Sequence, residues 1–347
     1  MTSHVIGLGS GERAPDFVAP VIGGKETRFY SRAGGRPAVL FFAQTLNESD
    51  VATIRQVAQM ASVHVIAPEK FTSPLPLPLQ DVDHFLDDGA ARGAFRLPAD
   101  ASAHAVLLDR NLRVLTTVAL TDADVAQVIE QTLQQLPATA ADTITAQAPV
   151  MFVPRVLEAG ICAHLQQVWD RSHAETGVEQ SVDTTRQEVI EAEAKRRADH
   201  VVEEADLMRN LTQSVGRRVI PEVRRIFGFN ADRFEGFKIS CYESSASGFF
   251  NAHRDNLSPA TAHRRFAMTL NLNSEYEGGE LRFPEFGDAL YRPAAGEALI
   301  FACSMLHEVI PVTVGKRFTL LSFLFGAEAR RHPGTSQPPT PSQSPTP

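Results

Sequence analysis

From Phe234 to Phe325 the sequence alternates between apolar and polar residues with a period of two, and this pattern constrains the fold more than any other feature of the chain. Side chains of a β-strand point alternately to its two faces, so the pattern predicts strands rather than helices. Glycine and proline turns separate the runs. Eight short strands separated by such turns predict a double-sheet jelly roll, also called a double-stranded β-helix. The predicted strands are Phe234–Tyr242, Phe249–Arg254, Arg265–Asn273, Glu280–Phe283, Asp288–Arg292, Ala298–Phe301, His307–Val312 and Arg317–Phe325.

Three side chains in this region have the chemistry of metal ligands. His253 and Asp255 are two residues apart, so on a strand both would project from the same face. His307 lies in a later predicted strand and supplies a third candidate ligand. Two neutral imidazoles and one carboxylate on one side of an iron ion leave three coordination positions open, as oxygen chemistry requires. The pattern therefore predicts an iron site made by His253, Asp255 and His307.

Arg317 follows His307 by ten residues and lies in a strand that is otherwise largely apolar. A buried guanidinium without a partner costs several kcal/mol. Its planar fork of donors matches a carboxylate, which it can bind through two parallel hydrogen bonds. We therefore expect the partner of Arg317 to be a dicarboxylic ligand. Lys316 would face the other way because side chains alternate along the strand.

The quoted residues resemble a known enzyme family. His253-Arg254-Asp255-Asn256, the run from Gly278 to Pro284, and His307 with Arg317 ten residues later resemble the iron(II)/2-oxoglutarate dioxygenases of the prolyl 4-hydroxylase type, over about residues 150 to 328. The resemblance implies Fe(2+), 2-oxoglutarate and O2 as cofactor and cosubstrates, with ascorbate as an expected reductant. It also implies that no side chain beyond the metal ligands acts in catalysis.

The same resemblance assigns the cosubstrate contacts. Arg317 would hold the distal carboxylate of 2-oxoglutarate, and Tyr242 stands where the family commonly has a tyrosine that touches this molecule. In oxygen-sensing members a second pocket tyrosine corresponds to a position near Asn271. Whether Asn271 contacts 2-oxoglutarate stays open at this point.

The implied reaction is oxidative decarboxylation of 2-oxoglutarate to succinate and CO2, coupled to hydroxylation of an unactivated carbon. The leading substrate is a prolyl residue of a peptide or protein. A free amino acid or a small metabolite is an alternative. A further alternative is a non-catalytic jelly roll with a structural metal, although structural sites tend to close their coordination shell.

Residues 1–136 form a separate pattern, with the order β-α-β-β-α that is typical of a thioredoxin-like domain. The predicted elements are a strand at Val39–Ala43, a helix at Val51–Met60, a strand at Val63–Ala67, a hairpin of Ala105–Asp109 with Leu112–Leu120, and a helix from Asp122 to Leu136 with Thr121 as its N-cap. Gly11 to Phe17 resembles the opening of peroxiredoxins. Their reactive cysteine would fall within Gln44–Asp50, and residues 1–136 contain no cysteine. Thiol chemistry requires a thiolate, so this domain is predicted to have a binding or structural role instead, with a non-thiol activity as the alternative.

The two domains are predicted to be joined by a small and polar linker at residues 137–148. The second domain, residues 149–329, begins with helices that would brace the barrel. Helices are predicted at Leu157–Thr176, at Glu188–Arg197 with helix continuing through Val215, and at Pro221–Phe227. The charge pairs within Glu188–Arg197 are interpreted as a solvent-exposed helix face. Residues 330–347 are rich in Pro, Ser and Thr and are predicted to be disordered. The chain is thus predicted to be an α+β multidomain protein.

The composition limits the classes of partner that this chain is expected to bind. The formal net charge is −8 without any long basic block, which argues against nucleic acid. No apolar run approaches the roughly 18 residues of a membrane span and no leader segment is recognised, so we expect no membrane association and a cytoplasmic location. The 3 cysteines, Cys162, Cys241 and Cys303, suggest neither a disulfide framework nor a zinc site. The oligomeric state is not predicted.

Overall fold

The computed structural model describes residues 6–70, 79, 81–100, 102–121, 124–137, 143–182 and 185–327. The chain divides into two compact units, Met1–Thr143 and Ile144–Pro347, and the division falls within the predicted linker. The predicted disordered tail, residues 330–347, lies outside the described residues. None of the helices in these described ranges is both long and apolar enough to cross a membrane.

The first unit is built on a mixed sheet. Its strands are β1 (Val18–Ala19), β2 (Thr27–Arg28), β3 (Ala38–Phe42), β4 (Ser62–Ala67), β5 (Val82–Leu86), β6 (His104–Leu108) and β7 (Val114–Ala119), and its helices are α1 (Glu48–Ala58), α2 (Ala90–Ala94) and α3 (Val125–Gln134). The strand order of the sheet is β5-β4-β3-β6-β7. The central strand β3 is buried along its whole length. Its alternate side chains enter two apolar cores, with Val39 and Phe41 in one and Leu40 and Phe42 in the other.

Two predictions for this unit need correction. The predicted order lacked β5, which pairs in parallel with β4 and extends the sheet. The helix near residue 122 begins at Val125 with Asp124 as its flanking residue, so Thr121 is not its N-cap. Residues 122 and 123 lie outside the described residues. The hairpin prediction is confirmed by the antiparallel pairing of β6 with β7.

The second unit contains the remaining elements. Its helices are α4 (Ala159–Arg171), α5 (Ala205–Arg218) and α6 (Ile220–Phe227). Its strands are β8 (Met151–Val153), β9 (Ala174–Glu175), β10 (Val178–Val182), β11 (Thr185–Val189), β12 (Lys195–Arg196), β13 (Ala198–Val201), β14 (Arg233–Phe234), β15 (Lys238–Glu243), β16 (Phe249–His253), β17 (Phe266–Asn271), β18 (Tyr276–Gly278), β19 (Leu281–Arg282), β20 (Leu290–Tyr291), β21 (Ala298–Ala302), β22 (His307–Val309) and β23 (Val312–Phe325).

These strands form a large and a small sheet. The large sheet has the order β8-β21-β17-β23-β15-β13-β9, and the small sheet has the order β12-β16-β22-β19-β20. Alternation along β17 shows that the two faces of the large sheet contribute to different cores. Met268 and Leu270 belong to a core shared with α4, α5 and α6, whereas Ala267 belongs to a core shared with the small sheet. The interior between the sheets is therefore reached by every second residue of the large sheet.

The predicted helix at Glu188–Arg197 is wrong. The chain there completes β11, turns, and continues through β12 and β13. Lys195 and Arg196 pair with β16, and the residues from Ala198 to Val201 pair with β15. Charge pairs four residues apart suggested a helix, but the segment forms strands because β16 and β15 supply hydrogen-bond partners for its backbone. The first helix also ends earlier than predicted, at Arg171, because Ala174–Glu175 pairs with β13.

Candidate metal centre

The small sheet brings the three predicted metal ligands together. His253 is the last residue of β16 and lies opposite His307, the first residue of β22, in an antiparallel pair. Their imidazole rings are 4.3 Å apart between centroids. Asp255 lies in the turn after β16 rather than on the strand, which corrects the predicted reason for its proximity to His253. The turn nevertheless points its carboxylate at both imidazoles.

The distances fit a metal ion. The Nε2 atom of His253 is 3.5 Å from Asp255 Oδ1, and the Nε2 atom of His307 is 3.5 Å from Asp255 Oδ2. One ligand atom from each residue lies within 4.8 Å of the others. Ligand atoms that each sit about 2.1 Å from one ion are at most about 4.2 Å apart. The two imidazole–carboxylate separations fall inside this limit, so the Asp255 carboxylate can share one ion with either imidazole.

Hydrogen bonds to the backbone orient both imidazoles. The Nδ1 atom of His253 lies 2.7 Å from the carbonyl oxygen of Asn251, and that of His307 lies 3.1 Å from the carbonyl oxygen of Met305. A carbonyl only accepts, so each Nδ1 carries the proton and each Nε2 presents its lone pair to the site. This is the usual arrangement behind a histidine that binds a metal.

The electrostatic environment keeps His307 and Asp255 in the forms that bind metals. Burial lowers the pKa of His307 to about 4, although the negative charge of Asp255 acts in the opposite direction. Burial by itself would raise the pKa of Asp255, but His307 and His253 outweigh it and hold that pKa below its usual range. Near neutral pH the set therefore contains a neutral His307 and an ionised Asp255, which are the forms that bind metals.

The turn that carries Asp255 is held from two sides. The Asp255 amide donates to the carbonyl of Cys303 at 2.9 Å. The Asp255 carbonyl accepts from Arg264 Nη1 at 3.3 Å. Arg264 is itself fixed by Glu235, whose two carboxylate oxygens accept from Nε and Nη2 at 2.8 Å each. These contacts restrict the position of Asp255 before any ion is bound.

Arg317 projects into the interior between the sheets. It lies on β23 opposite Tyr242 of β15 and is 1% exposed. Its Nε and Nη2 donate to Asn271 Oδ1 at 3.3 and 3.1 Å, and its guanidinium lies 5.5 Å from the centre of the Tyr242 ring. Within the described ranges, Arg317 has no carboxylate partner. Lys316, as the alternation predicted, faces the other way and pairs with Glu243 at 2.7 Å.

Asn271 has a role that sequence analysis left open. It is fully buried, and its amide nitrogen donates to the Tyr276 hydroxyl at 2.5 Å and to the Pro293 carbonyl at 2.7 Å. Both bonds fix the orientation of the amide, so its oxygen points at Arg317. Asn271 thus positions the arginine with a neutral acceptor and leaves the positive charge uncompensated.

Two basic residues of the site, Lys195 and Arg197, were not predicted, because their segment was expected to be a solvent-exposed helix. Lys195 is buried, and the side chain of Arg197 is 9% exposed. The signal was present in Lys195, Arg197 and Asp199, whose spacing of two residues is that of a strand. Charged residues at this spacing were assigned to solvent, whereas here they face the interior.

One cavity of about 460 Å³ joins the candidate metal ligands to Arg317. Its walls include His253, Asp255 and His307 together with Tyr242 and Arg317. Arg197 also lines it, and so do apolar side chains of both sheets. The site can therefore hold an ion and a small carboxylate in the same space.

Comparison with known proteins agrees with this geometry. Residues 237–325 match the model of the 2OG-Fe(II) oxygenase superfamily. A PKHD-type hydroxylase of Synechococcus sp. (strain JA-2-3B'a(2-13)) is 32% identical over 93 residues, which are 25% of this chain and 41% of that protein. A PKHD-type hydroxylase of Saccharophagus degradans is 36% identical over 95 residues, 25% of this chain and 40% of that protein. The chain thus spans about two fifths of the length of these curated relatives.

Among solved structures, a prolyl-4-hydroxylase of Pseudomonas putida is 16% identical with a TM-score of 0.37, over 51% of this chain and 92% of that one. A prolyl hydroxylase of Trichoplax adhaerens, solved with a peptide fragment of hypoxia inducible factor, is 14% identical with a TM-score of 0.43, over 52% of this chain and 86% of that one. The matched segment, residues 237–325, includes all three candidate ligands and Arg317. Residues 237–325 are therefore similar to a 2OG-Fe(II) oxygenase domain.

Proposed function

We propose that this protein is an iron(II)- and 2-oxoglutarate-dependent dioxygenase that hydroxylates an unactivated carbon and releases succinate and CO2. The observation that carries the proposal is the placement of His253, Asp255 and His307 in one cavity with the buried Arg317. The match to the 2OG-Fe(II) oxygenase superfamily supports it. Bound iron would supply the activation of dioxygen, which no side chain can provide.

The chain's own residues would bind the ion and orient 2-oxoglutarate. His253, Asp255 and His307 would hold the ion, with both imidazoles oriented by their backbone hydrogen bonds. Arg317 would pair with the distal carboxylate of 2-oxoglutarate, and Tyr242 would contact the same end. The apolar walls would keep water away from the reacting carbon.

The proposed substrate is a prolyl residue of a peptide or protein. The likeness of the site motif to prolyl 4-hydroxylases supports this choice, and the relatives that the chain matches are hydroxylases by name. For the first unit we propose a thioredoxin-like domain without thiol chemistry. Its five-stranded mixed sheet, within the described residues, and the absence of cysteine from positions 1–143 support this proposal.

Anaerobic titration tests the activity. Fe(II) followed by 2-oxoglutarate is added to the purified protein while the visible metal-to-ligand charge-transfer band is recorded, and air is then admitted with ascorbate present. We expect the band, and after air the formation of succinate. Bound iron without the band would contradict the proposal and would favour a structural metal.

A pair of aspartate variants sharpens the test. Asp255→Ala should lose succinate formation while its unfolding transition is kept. Asp206→Ala is the matched control, because the side chain of Asp206 is 87% exposed on α5. Turnover that survives in the Asp255 variant would rule out the assigned ligand set. Succinate formed with proline-containing peptides, compared with free proline and other amino acids, then selects the substrate class.

A further inference from the structure

A buried ion pair lies beside the proposed cosubstrate site, at the place where the chain passes from the small sheet to the large one. Arg197 stands between β12, which pairs with β16, and β13, which pairs with β15. Its Nη2 donates to Asp199 Oδ2 at 2.7 Å, and the side chains are 9% and 0% exposed, respectively. Asp199 Oδ2 also accepts from the Thr176 hydroxyl at 2.9 Å. The position of the Arg197 guanidinium is therefore fixed by Asp199, which is itself held by Thr176.

The other end of Arg197 reaches the candidate cosubstrate contact. Its Nη1 donates to the Tyr242 hydroxyl at 3.3 Å, and its guanidinium lies 5.8 Å from the centre of the Tyr242 ring. The Arg317 guanidinium lies 5.5 Å from the same centre. Tyr242 thus lies next to two arginines, one compensated by Asp199 and one without a carboxylate partner in the described part of the chain.

This arrangement determines where the Tyr242 hydroxyl can donate its hydrogen bond. A phenol hydroxyl has one proton to donate and can accept hydrogen bonds at its oxygen. Because Arg197 only donates, the Tyr242 oxygen must accept from it, and the proton must go elsewhere. In the described ranges the Tyr242 hydroxyl has no acceptor for that proton, while its side chain lines the cavity together with Arg317.

We infer that Arg197, held by Asp199, is a positioning residue that directs the Tyr242 hydroxyl at the distal carboxylate of 2-oxoglutarate. The inference rests on the proposed function and extends it to residues outside the matched segment 237–325. The Asp199 carboxylate cancels the charge of Arg197, so the pair orients the phenol without adding net charge to the cavity. Electrostatics agree: burial opposes ionisation of Asp199, but the charges of Arg197 and Lys195 lower its pKa to about 2.

The test replaces the pair as a unit. Removing Arg197 alone would leave Asp199 as a buried uncompensated charge and would destabilise the fold. Arg197→Met combined with Asp199→Asn removes both charges and keeps similar side-chain volumes. Binding of 2-oxoglutarate to the Mn(II)-loaded protein is measured by isothermal titration calorimetry, which requires no turnover. Mn(II) binding without 2-oxoglutarate is measured in parallel.

We expect the paired variant to raise the Kd for 2-oxoglutarate about tenfold and to leave the Kd for Mn(II) unchanged, since one hydrogen bond to a charged group is misdirected. Tyr242→Phe should raise the 2-oxoglutarate Kd to a similar extent. Adding Tyr242→Phe to the paired variant should cost no more than Tyr242→Phe alone, because the pair acts through that hydroxyl. Arg196→Met is the control, since Arg196 directly precedes Arg197 in the chain and is exposed.

The possible results separate the two proposals. A paired variant with the wild-type Kd would overturn the inference and leave the proposed function intact. Losses that multiply to about a hundredfold in the combined variant would also overturn it, because Arg197 would then act independently of Tyr242. A wild-type protein that binds Mn(II) but not 2-oxoglutarate would overturn the proposed function and the inference with it.

Discussion

Replacing Arg317 by methionine should make the ligand-free protein more stable while it removes the response to 2-oxoglutarate. Arg317 is 1% exposed, and its described polar partner, Asn271, is neutral. A buried charge without a counter-charge costs several kcal/mol. The substitution leaves Asn271 Oδ1 without a donor, at a cost of about 1–3 kcal/mol. We expect a net gain of about 1–2 kcal/mol in the free energy of unfolding without ligand.

The ligand-bound state should respond in the opposite direction. Two hydrogen bonds from a guanidinium to a carboxylate contribute about 1.5 kcal/mol or more each, so their loss should weaken 2-oxoglutarate at least about hundredfold. At a ligand concentration of a hundred times the wild-type Kd, wild-type protein gains about 2.7 kcal/mol by mass action. The Arg317→Met variant would then be only half saturated and would gain about 0.4 kcal/mol.

The fluorescence of the single tryptophan reports unfolding of the second unit, which contains Arg317. The chain has 1 Trp, Trp169, which lies on α4 of the second unit with its ring centre 5.3 Å from that of Phe318. Its fluorescence during urea unfolding therefore reports the unit that contains Arg317, even if the two units unfold separately. The measurement is made with Mn(II), with and without 2-oxoglutarate.

Lys316→Met provides the control, because Lys316 is half-exposed and faces the opposite side of β23. A surface ion pair contributes about 0–1 kcal/mol, so this variant should keep the ligand response and lose little stability. Our reasoning would be refuted by an Arg317→Met variant that loses 3 kcal/mol or more without ligand, since the charge would then be compensated inside the protein. An undiminished ligand response in that variant would refute the assignment of Arg317.

Three further predictions concern the backbone, pH and the thiols. Gly279→Ala should raise the Kd for 2-oxoglutarate about tenfold beyond the control Gly287→Ala, measured by calorimetry, because a Cβ at Gly279 would meet Arg317 Cδ at 3.0 Å whereas nothing lies within 4 Å of one at Gly287. Equal Kd values for the two variants would contradict this. Because burial lowers the pKa of His307 to about 4, the unfolded chain binds the proton more readily, so metal-free protein should lose about 3 kcal/mol as the pH falls from 6.5 to 4. The loss should be smaller in His307→Gln, and urea unfolding at both pH values would show an equal loss if the reasoning is wrong. Burial raises the pKa of all three cysteines, so native protein at pH 8 should not react with a thiol reagent until urea unfolds it, and rapid labelling of the folded chain would disprove this.

The sequence alone was sufficient for the features that follow from local chemistry and spacing. The period-two pattern predicted the strands after Phe234 except β18, and the alternation along β23 predicted that Arg317 and Lys316 face opposite sides. The spacing of His253, Asp255 and His307 predicted a cluster that the fold brings together. The first two inferences hold because side-chain direction in a strand depends only on the count of residues, whereas Asp255 reaches the cluster from the turn after β16.

Other features depended on partners that are distant in sequence. Lys195 and Arg197 carry charge pairs at a spacing that suits a helix, and only pairing with β16 and β15 made the segment extended and buried its basic side chains. The role of Asn271 follows from the register of β17 against β23, which sets its amide beside Arg317. The physical reason is the same in both cases. Burial and hydrogen-bond partners of a polar side chain are set by whichever strand lies next to it, and that neighbour is chosen by the packing of the whole unit rather than by the local sequence.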